Sequence, residues 1–312
     1  MSPTPPLPYP LVDVLGPLDP EQIDANLASI GEYGVATRLL AERGLVPPDV
    51  LCGQTLFLLA RQPRTKADDD AKRASPIAGG VWVREQVTIH APVRRDEQFV
   101  VKGVSARRFV KKGRRYGVTT AQTFGPDATL LVSNCTTGLL EYQAEEGRAD
   151  GSEGMDEALV PVPAVDPAGA ASHPSVSRLR QLAIGATIDG PPVELALSLM
   201  LVRDGEKPAN PIHSDPEVAR ASGLKAPIAG GSHVAAFLFE RLMAEWGTDC
   251  LLHGAHVDLR WFAPTYGEEV IVPRASVLKN ADGLLSVAVE VVGVDGIVRV
   301  RGSVVIPIGA GS

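Results

Sequence analysis

The sequence predicts an α+β protein made of two similar halves in tandem, each a curved antiparallel sheet wrapped around a central helix. Three observations carry this reading. The chain has 312 residues, a length suited to two domains. Each half ends in a series of short, Val- and Thr-rich segments separated by turn residues. Each series is preceded by a helical segment that is apolar on nearly every side.

The later half shows the pattern most clearly. His253 to Phe262 is strand-like, and Glu269 to Val277 follows it. Leu284 to Val294 and Ile297 to Ile308 flank Asp295-Gly296, a strong hairpin signal. The earlier half repeats the scheme with Glu97 to Val104, Arg115 to Thr123 and Thr129 to Leu140, turning at Gly125-Pro126-Asp127. Ala91-Pro92 aligns with Ala263-Pro264 at an offset of 172 residues, bringing Val87 onto Leu259, Ile89 onto Trp261 and Asp96-Glu97 onto Glu268-Glu269.

The central helix of the later half is expected from Ser232, as N-cap, to Trp246. A helix apolar all round belongs inside a protein, not on its surface. Its counterpart is expected over Val50 to Arg61, after Pro47-Pro48. A further helical region, Pro20 to Arg43, starts behind Asp19 as a cap. Residues 144 to 175 lose apolar periodicity and are rich in small, acidic and proline residues, as a linker is. The expected domains are therefore 1–143 and 176–312, joined by 144–175.

Net charge is -7, which argues against a nucleic-acid partner. The run Arg107-Arg108-Phe109-Val110-Lys111-Lys112-Gly113-Arg114-Arg115 is a local exception. It reads either as a solvated strand-turn-strand edge or as a docking patch for phosphates or an acidic carrier protein. Cys52, Cys135 and Cys250 are odd in number and far apart, so neither a disulfide framework nor a zinc site is expected. The amino terminus lacks the basic start and apolar core of a signal peptide, and no apolar run approaches a bilayer span. A cytoplasmic protein with no membrane partner is expected.

The chemistry-bearing stretch is Asn210-Pro211-Ile212-His213-Ser214-Asp215-Pro216-Glu217-Val218-Ala219, then Gly223, then Pro227-Ile228-Ala229-Gly230-Gly231. Over residues 205 to 270 the sequence resembles the MaoC-like family of R-specific enoyl-CoA hydratases and 3-hydroxyacyl-thioester dehydratases. The two-part layout is similar to that family's double-hotdog members, whose amino-terminal half has lost the motif and shapes the acyl pocket. The resemblance implies two hotdog domains packed as a pseudo-dimer. It also implies reversible hydration of a 2-enoyl thioester, or dehydration of its 3-hydroxy partner.

Carried over residue by residue, the resemblance gives His213 the acid/base role, a task suited to an imidazole near its ordinary pKa. Gly231 takes the oxyanion role at the start of the central helix, where unpaired N–H groups and the helix dipole favour negative charge. Asn210 holds the loop. Gly230 stands where the family has a histidine, and Gly230, Ser232 and His256 are expected to meet the substrate. The family's aspartate position is Pro208, which can neither hold nor deprotonate water. Asp204, Glu206 and Asp215 are the nearby carboxylates, with Asp215 better suited to cap Pro216 to Ala221.

Pro76-Ile77-Ala78-Gly79-Gly80 repeats Pro227 to Gly231, but precedes a strand and reads as a turn. His233 and His253 read as structural, and His90 and His173 have no supporting context. No ligand-spaced metal set and no phosphate-binding glycine loop is present, so no metal or nucleotide cofactor is expected; the acyl group would travel on coenzyme A or an acyl carrier protein. A homodimer is compatible with this reading. Two other functions fit the same scaffold: a thioesterase, with a carboxylate aimed at the thioester from the first half, and an acyl-binding protein with altered chemistry.

Overall fold

Two kinds of tight turn, each used once per half, set the register of the sheet. The computed structural model describes residues 14–15, 20–53, 81–140, 144–152, 175–204 and 210–309. In the first kind, Lys112 (φ 51°) and Gly113 (φ 71°) join β3 (Val100–Lys111) to β4 (Arg114–Phe124). Asp282 (φ 57°) and Gly283 (φ 74°) join β10 (Val270–Ala281) to β11 (Leu284–Gly293) in the same way. Two successive left-handed residues match the twist of the flanking strands.

The second turn is longer. In one half Gly125 N–H donates to Thr129 O (2.8 Å) and Ala128 N–H to Gly125 O (3.0 Å). In the other, Gly293 N–H donates to Ile297 O (2.9 Å) and Gly296 N–H to Gly293 O (2.8 Å). An aspartate braces each loop: Asp127 Oδ1 accepts from Thr129 N–H (3.0 Å), and Asp295 Oδ1 from Ile297 N–H (2.9 Å). These loops lead into β5 (Leu130–Leu139) and β12 (Val298–Pro307).

The two four-stranded units then join edge to edge. β2 (Val81–Ile89) pairs with β9 (Ala255–Trp261), so the order β3-β4-β5-β2 runs straight into β9-β12-β11-β10. Short strands β1 (Val14–Leu15) and β7 (Thr187–Asp189) close the two ends. β6 (Gly151–Ser152) adds to β3, and β8 (Val193–Glu194) to β10. The seam carries the repeat's arithmetic. Gln86 and Asp258, equivalent under the 172-residue offset, are also the pair that face each other, which places a pseudo-two-fold axis between them.

The helices repeat as well. α1 (Pro20–Ala28), a 3-10 turn (Gly31–Tyr33), α2 (Val35–Glu42) and α3 (Pro48–Cys52) lead the first half. After α4 (Val176–Arg180), the second half presents α5 (Leu197–Asp204), a 3-10 turn (Pro211–His213), α6 (Pro216–Ala221) and α7 (Gly231–Trp246). α7 is the buried central helix, with Phe237, Phe239, Leu242 and Trp246 among its buried residues. A single apolar core spans both halves. Even Glu240 of α7 is buried, because its carboxylate accepts the backbone N–H of Ala36 (2.7 Å) and of Thr37 (2.8 Å) in the first turn of α2. Those orphan donors would otherwise be unsatisfied.

Several boundaries differ from expectation. The Pro20 to Arg43 region breaks into α1, the 3-10 turn and α2, because Gly31 takes a left-handed φ of 60°. The central helix starts at Gly231, with Gly230 and not Ser232 at the N-cap. β3 continues through Lys111, because the chain reverses only at Lys112-Gly113; the basic run is thus the tip of the β3–β4 hairpin. Of the stretch 144–175, Gly151-Ser152 pairs with β3, and residues 153–174 lie outside the described residues. Asp19, residues 54–61 and Pro76 to Gly80 also lie outside them. Cys52 and Cys250 are buried and Cys135 is half-buried, all as free thiols. No described helix is long and apolar enough to cross a membrane.

The inner faces of the two sheets differ in chemistry. Val257, Leu259, Val287, Val289, Val300 and Val304 line the second half's core. In the first half Glu85 is fully buried, accepting from Asn134 Nδ2 (3.0 Å) and from Thr136 Oγ1. Burial pushes the Glu85 carboxyl up from its ordinary 4.5 to about 8 against the pull of these donors. Between those two values the folded protein keeps a proton that the unfolded chain has released, so this group makes stability fall as pH rises. Glu85→Gln is expected to remove that slope and to be more stable than wild type at pH 8 by ~1 kcal/mol or more. Urea unfolding of both proteins at pH 5 and pH 8 checks it; an unchanged difference between the two pH values contradicts it.

Candidate active site

The site begins with a proline-led turn. Pro211 opens the 3-10 turn behind Asn210, whose carbonyl accepts from His213 N–H (3.3 Å). Ile212 anchors the turn in a small apolar cluster with Ala219, Leu224 and Ile228, covered by Val81 and Tyr266. Backbone bonds tie the same segment to the sheet: Ile228 N–H to Ile212 O (3.2 Å), Ala229 N–H to Thr265 O (2.8 Å) and Gly267 N–H to Pro227 O (3.1 Å). Asp215 caps α6, its Oδ1 accepting from Glu217 N–H (2.8 Å) and Val218 N–H (3.2 Å).

This frame aims two groups. His213 Nδ1 lies 2.7 Å from Ile228 O. A carbonyl only accepts, so Nδ1 carries a proton, and in the neutral ring the lone pair is on Nε2. Three residues beyond Ile228, α7 begins at Gly231. The N–H groups of Gly231 and Ser232 meet no carbonyl among the described residues, as expected for a first helical turn. They add to the positive end of the helix dipole.

Trp82, from the first half, seals this helix start. A Cβ built on Gly231 would meet Trp82 Cβ and Cε3 at 3.0 Å. Trp82 in turn packs edge-on to Trp261, ring centroids 5.6 Å apart. A Cβ on Gly230 would meet nothing within 4 Å. Where the family pattern has a histidine, this chain therefore leaves open space.

The first half holds a counterpart without the chemistry. Leu45 bridges Arg94 as Ile228 bridges Tyr266, and Val46 N–H donates to Val93 O (2.9 Å) as Ala229 does to Thr265. Pro47-Pro48-Asp49 thus stand where Gly230-Gly231-Ser232 stand. Proline has no N–H, so the start of α3 offers no donor at the Gly231 position. Tyr33 ends the first-half turn as His213 ends the other.

Residues 204–291 match the model of the MaoC like domain. The fold is a double hotdog, and the match to the MaoC like domain lies within its second half. A solved structure described as a MaoC-like dehydratase is 14% identical, with a TM-score of 0.66, covering 97% of this chain and 98% of that one. A double-hotdog protein from Mycobacterium tuberculosis is 14% identical, with a TM-score of 0.58, covering 96% and 95%. A putative oleoyl thioesterase from Lactobacillus plantarum is 11% identical, with a TM-score of 0.54, covering 97% and 98%. These likenesses establish the fold. Comparison with curated protein sequences gives no significant match.

Within the MaoC-like domain the expected residues separate. His213, Asn210, Gly230 and Gly231 share one frame. Asp215 is spent on its helix cap, and Asp204 closes α5, while Glu206 and Pro208 lie outside the described residues. Ser232 does not stand at the cap; its Oγ accepts from Arg203 (3.1 Å). Val257 and Leu259 lie in the buried apolar core, so strand alternation turns His256 to the other face of β9, where Nδ1 meets Thr88 Oγ1 at 2.9 Å. His173 lies outside the described residues, and His90 is bonded to Ser133 Oγ (3.1 Å).

Three contributors were not legible in the motif: Trp82, Asp49 and Arg203. Trp82 is the second residue of β2 and belongs to no motif of its own, and only the sheet seam brings it to Gly231. The glycine pair supplies a stability test. Gly231→Ala is expected to cost on the order of 1–3 kcal/mol, since Trp82 is held by Trp261 and has little room to yield. Gly230→Ala should stay within about 1 kcal/mol of wild type. Denaturant midpoints of the two variants check this, and equal midpoints contradict it.

Proposed function

We propose that the protein catalyses reversible hydration of a 2-enoyl thioester, or dehydration of the matching 3-hydroxyacyl thioester. The observation that carries the reading is the common frame of His213 and Gly231. One backbone segment, Pro227 to Ala229, accepts the His213 proton and leads directly into the helix start. A base with a free lone pair and a donor for a developing oxyanion are what this addition needs.

In the hydration direction, His213 Nε2 takes a proton from water as the oxygen bonds to C3 of the enoyl group. The C2–C3 π electrons move onto the thioester oxygen, which the Gly231 N–H receives. The imidazolium then returns its proton to C2 as the carbonyl re-forms. The thiol carrier is coenzyme A or an acyl carrier protein, and the basic tip of the β3–β4 hairpin is a candidate surface for its phosphates. The thioesterase reading calls for a first-half carboxylate free to face the thioester. Glu85 is instead bonded to Asn134 and Thr136, and Asp49 to Arg203, which favours the hydratase reading.

A panel of enoyl and 3-hydroxyacyl thioesters on both carriers tests this. His213→Ala is expected to lower kcat by about 10² to 10⁴. Pro208→Asp restores a carboxylate at the family position and is expected to raise kcat by about tenfold or more. Hydration by His213→Ala at the wild-type rate rejects His213 as the base. Tight acyl-thioester binding with no turnover by wild type assigns the chain to acyl binding instead.

A further inference from the structure

The starts of the two central helices, α3 and α7, are joined by one buried guanidinium. Arg203, near the end of α5, is 6% exposed, and Asp49 is 2% exposed. Arg203 Nη2 donates to Asp49 Oδ2 (2.9 Å) and to Ser232 Oγ (3.1 Å), while Nη1 donates to Ser29 Oγ (3.2 Å). Asp49 and Ser232 are equivalent residues of the two halves, each in the first turn of its helix. Ser29 is fixed in turn: its Oγ–H donates to Asn26 O (2.7 Å), and its carbonyl accepts from His233 Nε2–H (3.0 Å). α5 itself is held at its other end by Glu268, whose Oε1 accepts Leu197 N–H (2.8 Å).

The chemistry of this cluster is unusual for a mere core filler. A buried ion pair loses hydration that packing alone would not cost, and apolar replacements of such pairs are often neutral or stabilising. Here the cation bonds the residue next to Gly231, in the first turn whose Gly231 and Ser232 N–H groups meet no carbonyl among the described residues. His233, fully buried beside Arg203, is pushed down to about 3 by burial and by the adjacent guanidinium. It therefore stays neutral and adds no competing charge. The result is a buried ion pair set under the helix start, its guanidinium bonded to Ser232 and its carboxylate supplied by the first half.

We propose that Arg203, held by Asp49, is a positioning residue for the Gly231 oxyanion site: it fixes the first turn of α7, and so the direction of the Gly231 N–H, through its bond to Ser232. This rests on the hydratase reading above. It gives the first half a part in the chemistry although it lacks a donor of its own, because Asp49 is the residue that orients the cation.

The test compares Arg203→Met, Arg203→Lys and Asp49→Asn in the full chain, well below each variant's Tm. Removing an oxyanion donor outright costs about 10² to 10³ in kcat. Acting through Ser232, Arg203→Met is expected to lower kcat by about tenfold or more with KM little changed. Arg203→Lys should recover part of the loss, and Asp49→Asn, which keeps the cation but frees it, should fall between. Amide hydrogen exchange of residues 231–235 gives a readout independent of turnover, with protection lost in Arg203→Met and partly kept in Arg203→Lys. A folded Arg203→Met with wild-type kcat and wild-type protection overturns the proposal. If wild type hydrates no thioester, the hydratase reading fails. The exchange data then decide the positioning role alone: loss of protection supports it, and unchanged protection overturns it.

Discussion

The pairing of β2 with β9 is the constraint on which the rest of the molecule depends. It turns two four-stranded sheets into one and leaves neither with an open edge at the centre. Interior strand edges carry unpaired N–H and C=O groups, so this closure satisfies a row of backbone donors and acceptors that a single half would expose. It also fixes distances that no local sequence could. Trp82 reaches Gly231 because β2 is registered on β9. Once the seam is set, α3 and α7 lie side by side against one shared core, and Arg203 of α5 bonds to the start of each. The ion pair of Arg84 with Asp258, bonded through Nε at 2.9 Å, reinforces the seam on the face away from the helices.

The seam makes the two halves equivalent in backbone and free to differ in chemistry. The first half keeps the turns, the bridge at Leu45 and the packing against Arg94. It has replaced the donor glycine by Pro48 and the histidine by Tyr33. Proline at the first helical position is stabilising, since that N–H has no partner in the helix anyway. A glycine there is worth keeping only where the N–H does something else. The contrast between Pro48 and Gly231 is therefore the difference the proposed oxyanion role of Gly231 calls for. Tyr33 has taken a packing role, its ring edge-on to Phe237 at 6.1 Å.

Much of this was written in local sequence. Period-two alternation marked β9 to β12, because their outer faces carry polar residues against an apolar inner face. Asp295-Gly296 and Gly125-Pro126-Asp127 announced their loops through residues that accept backbone N–H groups or left-handed φ. The Asn210 to Asp215 motif announced its own turn, because proline and the capping aspartate act within a few residues. What stayed hidden depends on distance. Ser232 has the chemistry of an N-cap, yet its hydroxyl is drawn to Arg203, a partner delivered by another helix. His256 sits in a strand whose alternation identifies two faces but not which one the helix covers. Asp49 and Arg203 look like any surface pair until the halves are assembled, since 154 residues separate them.

That separation bears on what the first half contributes to the second. An isolated second half would have to bury the apolar faces of α7 and β9 against something, and the first half supplies that cover. Cover alone would be met by apolar residues. The first half instead buries Asp49, Glu85 and Asn134, each of which must be matched by donors or acceptors to avoid a desolvation cost of about 1–3 kcal/mol per unpaired group. Glu85 and Asn134 answer each other and the carbonyl of Leu51, so they tie α3 to the sheet. Among the described residues, Asp49 has no such partner in its own half. Its carboxylate is directed out of its own half, onto a cation that belongs to the other. The polar interior of the first half thus divides into one set that builds α3 and one contact that α3 makes on behalf of α7.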